Sequence, residues 1–133
     1  MHPSFLLDTH VVVRWLVDNG KLSREQFRAL QTAVRRTEPL ALSAVSLLEI
    51  AILNGQGKLK LKASLNEFFS EMQAAPFFTV LSVTYEIVAE AGSLHSLRDP
   101  ADRASVATAR MHRLRLMTSD RRIIESKLVP VVV

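Results

Sequence analysis

The sequence predicts an α/β protein with a parallel sheet covered on both faces. Short apolar runs of strand character alternate with capped, helix-periodic segments along the whole chain. The segment after Asp99-Pro100 is rich in small residues, Ala104, Ala107, Thr108 and Ala109, which let a helix lie close to a sheet. The 133 residues, 48% of them apolar, contain no repeat, linker or low-complexity stretch, so residues 1–133 are read as one domain with a real core.

Phe5-Leu6-Leu7 is a short buried strand ending at Asp8. Thr9 is expected to cap a helix carrying Val12, Val13, Trp15, Leu16 and Val17, which Asn19-Gly20 stops. A second helix is expected from about Ser23 to Arg36, with Phe27, Leu30 and Val34 on one face. Leu40-Ala41-Leu42 is a strand, and Ser43 caps a third helix through Leu53 that ends at Asn54-Gly55-Gln56-Gly57. Lys58 to Lys62 is extended or loop. Ser64 caps a helix with Leu65, Phe68, Phe69 and Met72; Thr79-Val80-Leu81 is a strand; a helix follows from about Thr84 to Ala91. Asp99 at the N-cap and Pro100 at the first helical position open the small-residue helix. Leu114 to Thr118 is a strand, Arg121 to Ser126 a short helix, and Leu128 to Val133 a last strand whose Pro130 suggests a sheet edge.

The formal charge is +4 and the pI near 10. Two readings are open: an anionic partner, nucleic acid first, or an excess of Lys and Arg that only keeps the protein soluble. The absence of cysteine excludes disulfides and thiolate metal sites and fits a reducing compartment, so a cytoplasmic location is expected. Met1-His2-Pro3-Ser4 has no basic character and Asp8 breaks the apolar run, so no signal peptide is expected. No apolar run approaches the roughly 20 residues of a membrane span.

The informative residues are acids in apolar surroundings. From Leu40 to Gly57 Glu49 is the only ionisable side chain, in a helix apolar almost all round, which should be buried. A buried carboxylate is costly unless paired or metal-bound. Pairing with an Arg, or a wet edge, stays open. Asp8 and Asp120 follow strands, at the edge where open α/β sheets bind ligands. Each could equally be a helix-start acid. Asp99 and Asp102 share a face at i, i+3, which is also ordinary first-turn chemistry. Four elements delivering carboxylates to one edge mean more than any one of them. Such a cluster repels itself, and a hard divalent cation relieves the repulsion. Mg²⁺ takes oxygen ligands and suits phosphodiester hydrolysis.

These residues resemble the PIN-domain ribonucleases, and within them the VapC-type toxins. The resemblance runs through Leu7-Asp8-Thr9-His10, Ser43-Ala44-Val45-Ser46-Leu47-Leu48-Glu49-Ile50-Ala51, Gly57-Lys58-Leu59, Arg98-Asp99-Pro100-Ala101-Asp102-Arg103 and Thr118-Ser119-Asp120. It departs from the pattern at Leu97 and Ala101, where related sequences usually carry His and an aromatic residue. It implies a three-layer α/β/α sandwich around a parallel sheet of about four to five strands. It also implies an endoribonuclease acting as the toxin of a type II toxin–antitoxin pair. On this resemblance Asp8 and Asp102 bind Mg²⁺, or Mn²⁺, directly. Asp120 acts through water or a second metal, Glu49 orients the water on the metal, and Asp99 is mainly a cap. The implied partners are an RNA substrate, a small VapB-like antitoxin laid across the acidic groove, and a second copy in a homodimer.

Lys58, Lys60 and Lys62 alternate with leucines and would share one side of an extended segment. Lys58 and Lys60, with His10 and Ser119 near the acids, are the candidate substrate contacts; Arg110, Arg113, Arg121 and Arg122 could extend that surface. All could instead be solvated. Phosphatases of the haloacid dehalogenase type want Asp-x-Asp after the first strand, where this chain has His10. Phospho-receiver modules want a Lys at the carboxyl end of the last strand, whereas Lys127 precedes it. A degenerate binding module on the same fold is the remaining alternative, and the retained carboxylates argue against it.

Overall fold

The computed structural model describes residues 2–133, apart from the side chain of Asn19; Met1, in the stretch read above for a signal peptide, lies outside the described residues. Five strands, β1 (Phe5–Leu7), β2 (Leu40–Ser43), β3 (Phe78–Leu81), β4 (Arg115–Met117) and β5 (Val131–Val132), form one parallel sheet in the order β3-β2-β1-β4-β5. Seven helices connect and cover them: α1 (Thr9–Val17), α2 (Arg24–Arg35), α3 (Ala44–Gly55), α4 (Leu65–Ala74), α5 (Tyr85–Gly92), α6 (Pro100–His112) and α7 (Arg121–Ser126). This is the α/β architecture that the alternating pattern predicts. The last strand is shorter than expected: Pro130 has no amide to donate and precedes the short edge strand β5. No helix among the described residues is long and apolar enough to cross a membrane.

The period of two along each strand sorts the core into two layers. Leu6, Ala41 and Leu116 face the layer holding Ile87, Val106, Ala107 and Ile123 of α5, α6 and α7. Leu7, Leu40, Leu42 and Met117 face the layer holding Val11, Leu30, Ile50 and Met72 of α1, α2, α3 and α4. Buried Ala104, Ala107 and Ala109 let α6 lie against the sheet, as the small-residue run implies.

Three expectations change. Asp8, not Thr9, caps α1, its carboxylate accepting from the Thr9 amide at 2.9 Å. The buried face of α2 is Gln26, Leu30 and Ala33, while Val34 is exposed. Gln26 is buried because its amide is fully used: Oε1 accepts from Ser23 N in a capping box, and Nε2 donates to Ser119 Oγ and to Val132 O. Finally, α3 is not buried all round. It buries Ser46 and Ile50 against the sheet, but Leu48 and Ile52 are 57% and 47% exposed.

The topology sets the site. The connection after β1 covers one face of the sheet with α1 and α2; the connection after β4 covers the other with α7. β1 and β4 are adjacent, paired through Leu7 and Met117, so their outgoing chains diverge and leave a crevice at their carboxyl ends. Asp8 follows β1 there, and Asp120 lies three residues beyond β4.

Candidate active site

Asp8 is buried at the mouth of this crevice, and its carboxylate is held from several directions. Oδ1 accepts from Thr9 N; Oδ2 accepts from Thr118 Oγ1 at 2.7 Å and lies 3.5 Å from His10 Nδ1. Thr118 Oγ1 in turn accepts from the Asp120 amide at 3.0 Å. One hydroxyl thus ties the Asp8 side chain to the backbone of Asp120.

Glu49 enters from α3, which follows β2 on the other side of β1. Thr9 Oγ1 lies 2.5 Å from Glu49 Oε1 and 2.8 Å from Ser46 Oγ. A hydroxyl has one proton, so with Glu49 ionised Thr9 donates to the carboxylate and accepts from Ser46. Among the described residues no Arg pairs with Glu49; burial pushes its pKa up, the Thr9 bond opposes this, and the charges of Asp8 and Asp99 add to the rise.

Asp102 lies in the first turn of α6, whose N-terminus reaches the carboxyl edge of the sheet. Its pKa is pushed up to about 7, first by burial and then by Asp99, Asp120, Asp8 and Glu49. Asp120 caps α7, accepting from Arg122 N at 2.9 Å. Asp99 caps α6 by accepting from Ala101 N at 2.8 Å and is exposed. It belongs to a neighbouring hollow with Asp102 and Arg122 rather than to the one shared by the other acids.

Asp8, Glu49, Asp102 and Asp120 line a single hollow of about 450 Å³. His10 lines it too, with its pKa lowered by burial against the opposing charge of Asp8. Two cations that the sequence reading did not single out also line it, Arg14 and Lys21. Arg14 is one turn beyond His10 on α1, an i, i+4 spacing that could have placed it. Lys58 and Lys60 are exposed and do not line the hollow; Leu59 between them does. The segment is a tight turn rather than an extended run, with the amides of Lys58 and Leu59 both donating to Leu53 O. Ser119 is held by the protein itself, through Gln26 at its hydroxyl and His10 at its amide. Arg110 is spent on Glu90 at 3.0 Å, and Arg121 lies 3.7 Å from Glu125.

A PIN domain model matches residues 5–127. The chain belongs to the PIN domain family. It is 33% identical over 120 residues to ribonuclease VapC22 of Mycobacterium tuberculosis, covering 89% of this chain and 88% of that protein. Its fold is similar to that of FitAcB from Neisseria gonorrhoeae, with a TM-score of 0.71, 21% identity and coverage of 97% and 96% of the two chains. DNA-bound VapBC from Salmonella typhimurium is similar at a TM-score of 0.69, 16% identity and coverage of 98% and 97%.

In this PIN domain the donors at the crevice are hard carboxylate oxygens, with no thiolate, and that donor set fits Mg²⁺ or Mn²⁺. Among the described residues no three acid or imidazole side chains are arranged to hold one ion by themselves.

Proposed function

We propose that this PIN domain is a metal-dependent endoribonuclease and the toxin of a type II toxin–antitoxin pair. The observation that carries the reading is four carboxylates from four elements meeting in one hollow at the sheet's switch point. Asp8 and Asp102 would hold Mg²⁺ or Mn²⁺, with Asp120 across the crevice. The ion would supply positive charge to the scissile phosphate and acidify water. Glu49, steadied by Thr9 and with a raised pKa, is suited to take the proton of the attacking water. Arg14, half-buried and without a carboxylate partner among the described residues, is placed to grip a flanking phosphate. The ribonuclease relative supports RNA as the substrate.

Purified protein should cut RNA when Mg²⁺ or Mn²⁺ is added and stop when a chelator is added; equal cleavage in chelator would contradict the reading. Arg14→Ala should raise the KM for RNA about tenfold with kcat little changed, the effect of losing roughly 1.4 kcal/mol of phosphate binding. RNA binding should weaken with salt, less steeply in this variant. A salt-insensitive wild type would remove the phosphate role.

The surface also offers places for two partners. An apolar groove of about 370 Å³, lined by Leu16, Phe68, Met72, Phe77 and Phe78, shares Val17 with the acidic hollow. A VapB-like antitoxin could place apolar residues there and an Arg among the carboxylates. The toxin–antitoxin complex of Klebsiella pneumoniae, similar in fold, supports such a partner. Phe68→Glu should abolish capture of a co-expressed antitoxin, and unchanged capture would contradict this. Exposed Leu48 and Ile52 on α3, Val80 on edge strand β3 and Val88 on α5 suit a second copy of the chain. Sedimentation equilibrium should find a dimer that Ile52→Glu converts to monomer; a monomeric wild type would refute it.

A further inference from the structure

His10 joins helix α1 to the turn that carries Asp120, and the join has a direction. The Ser119 backbone N–H donates to His10 Nε2 at 2.9 Å. A backbone amide only donates, so Nε2 presents its lone pair and a neutral ring carries its proton on Nδ1. Nδ1 lies 3.5 Å from Asp8 Oδ2. The ring therefore spans the crevice, from the amide beside Asp120 to the carboxylate of Asp8. The Nε2 end of the ring is hydrogen-bonded to protein, and the Nδ1 end stands beside the Asp8 carboxylate.

The same oxygen of Asp8 also accepts from Thr118, and the other accepts from Thr9 N. A carboxylate offers about four acceptor positions. Thr9 N and Thr118 Oγ1 take two of them, one on each oxygen, and His10 Nδ1 stands 3.5 Å from Oδ2 beside the second. The Ser119 turn is gripped from the far side by Gln26 through the Ser119 hydroxyl at 3.1 Å. Its position relative to α1 is thus set from both flanks.

We propose that His10 is a positioning residue of the catalytic centre: as the Nδ1–H tautomer it fixes the rotation of the Asp8 carboxylate and the spacing of Asp8 and Asp120, and so the affinity of that pair for a divalent cation. The proposal rests on the nuclease reading above. Partners that orient metal-ligating side chains in this way are commonly worth about 10–100-fold in metal affinity or activity.

Two conservative variants separate the two ends of the ring. The His10→Asn amide reaches only the Nδ1 position and can still donate toward Asp8. The His10→Gln amide reaches the Nε2 position and can still accept from Ser119, but loses the donor toward Asp8. Three measurements test the assignment: ring ¹⁵N shifts of metal-free wild type, Mn²⁺ affinity by water-proton relaxation, and kcat and KM for RNA. The shifts should show Nδ1 protonated. His10→Ala should lose about 10–100-fold in Mn²⁺ affinity and in kcat at fixed metal, with KM for RNA little changed. His10→Asn should recover more Mn²⁺ affinity than His10→Gln. If His10→Ala fails to fold, the order of the other two decides. An Nε2–H tautomer, wild-type Mn²⁺ affinity in His10→Ala or in His10→Gln, or a rise in KM with kcat kept overturns the assignment while leaving the nuclease reading intact. Absence of Mn²⁺ binding by wild type would overturn the nuclease reading, and the assignment with it.

Discussion

Asp8→Asn should reduce RNA cleavage by about three orders of magnitude, roughly 4 kcal/mol of transition-state stabilisation, while leaving the fold intact. The substitution removes the charge and changes one atom. Asn Oδ1 can still accept from the Thr9 amide and preserve the cap of α1. Asn Nδ2 would face Thr118 Oγ1, a hydroxyl that can rotate to accept. The bonds to Thr9 and Thr118 therefore survive, and what is lost is the ligand character together with the oxygen that faces His10 Nδ1. Initial cleavage rates at saturating Mn²⁺, with circular dichroism as the check on folding, read both halves of the expectation. Cleavage within tenfold of wild type would show that Asp8 is a helix cap and no more.

Asp102→Asn should stabilise the metal-free protein at pH 8 and have little effect at pH 3. The Asp102 carboxyl is raised from its ordinary value of 3.8 to about 7 in the folded chain, by burial and by four neighbouring acids. Below 3.8 it is protonated in both states and costs nothing. As pH rises from 3.8 to 7, the unfolded chain releases the proton while the folded chain keeps it, so stability falls; above 7 the full cost is present. The side chain is only partly buried, so solvent screening reduces that cost to an expected gain of about 1–2 kcal/mol for the Asn variant at pH 8. Mn²⁺ at about a hundredfold over its Kd should then stabilise wild type by about 2.7 kcal/mol and Asp102→Asn far less. Urea unfolding at each pH, with chelator and with Mn²⁺, measures all three values. If Asp102→Asn is the less stable protein at pH 8 without metal, Asp102 is a paired structural acid.

Three of the acids were legible in the sequence from their setting, Asp8 and Asp120 just after strands and Glu49 alone in an apolar helix, and Asp102 from its place in the first turn of the small-residue helix. That contrast survives folding, since strand ends and helix turns carry those side chains to one edge whatever the loops do. The strands were legible for the same reason, through period-two burial. Details decided by single hydrogen bonds were not. Asp8 and Thr9 are both good N-caps one residue apart, and the structure chooses Asp8 because the Thr9 hydroxyl serves Glu49 and Ser46. The rotation of α2 depends on burying Gln26, which a hydrophobic count marks as polar; the Ser23–Gln26 spacing of a capping box was the available signal. Lys58 and Lys60 were expected to share one side if their segment were extended, but the amides of Lys58 and Leu59 fold back onto Leu53 O, and Leu59 is the residue at the hollow. Lys21 lies in a turn with nothing local to separate it from solvated cations, and the one signal for Arg14 was its i, i+4 spacing from His10.

The most direct test of the carboxylate centre is calorimetric titration of Mn²⁺ into metal-free protein. Wild type should bind Mn²⁺ in the acidic hollow, with proton release below about pH 7, where the metal-free protein still holds the Asp102 proton, and none well above it, and Asp8→Asn and Asp102→Asn should each lose most of the affinity. Equal Mn²⁺ affinity in wild type and both variants, or none in wild type, would contradict a metal centre built from these carboxylates.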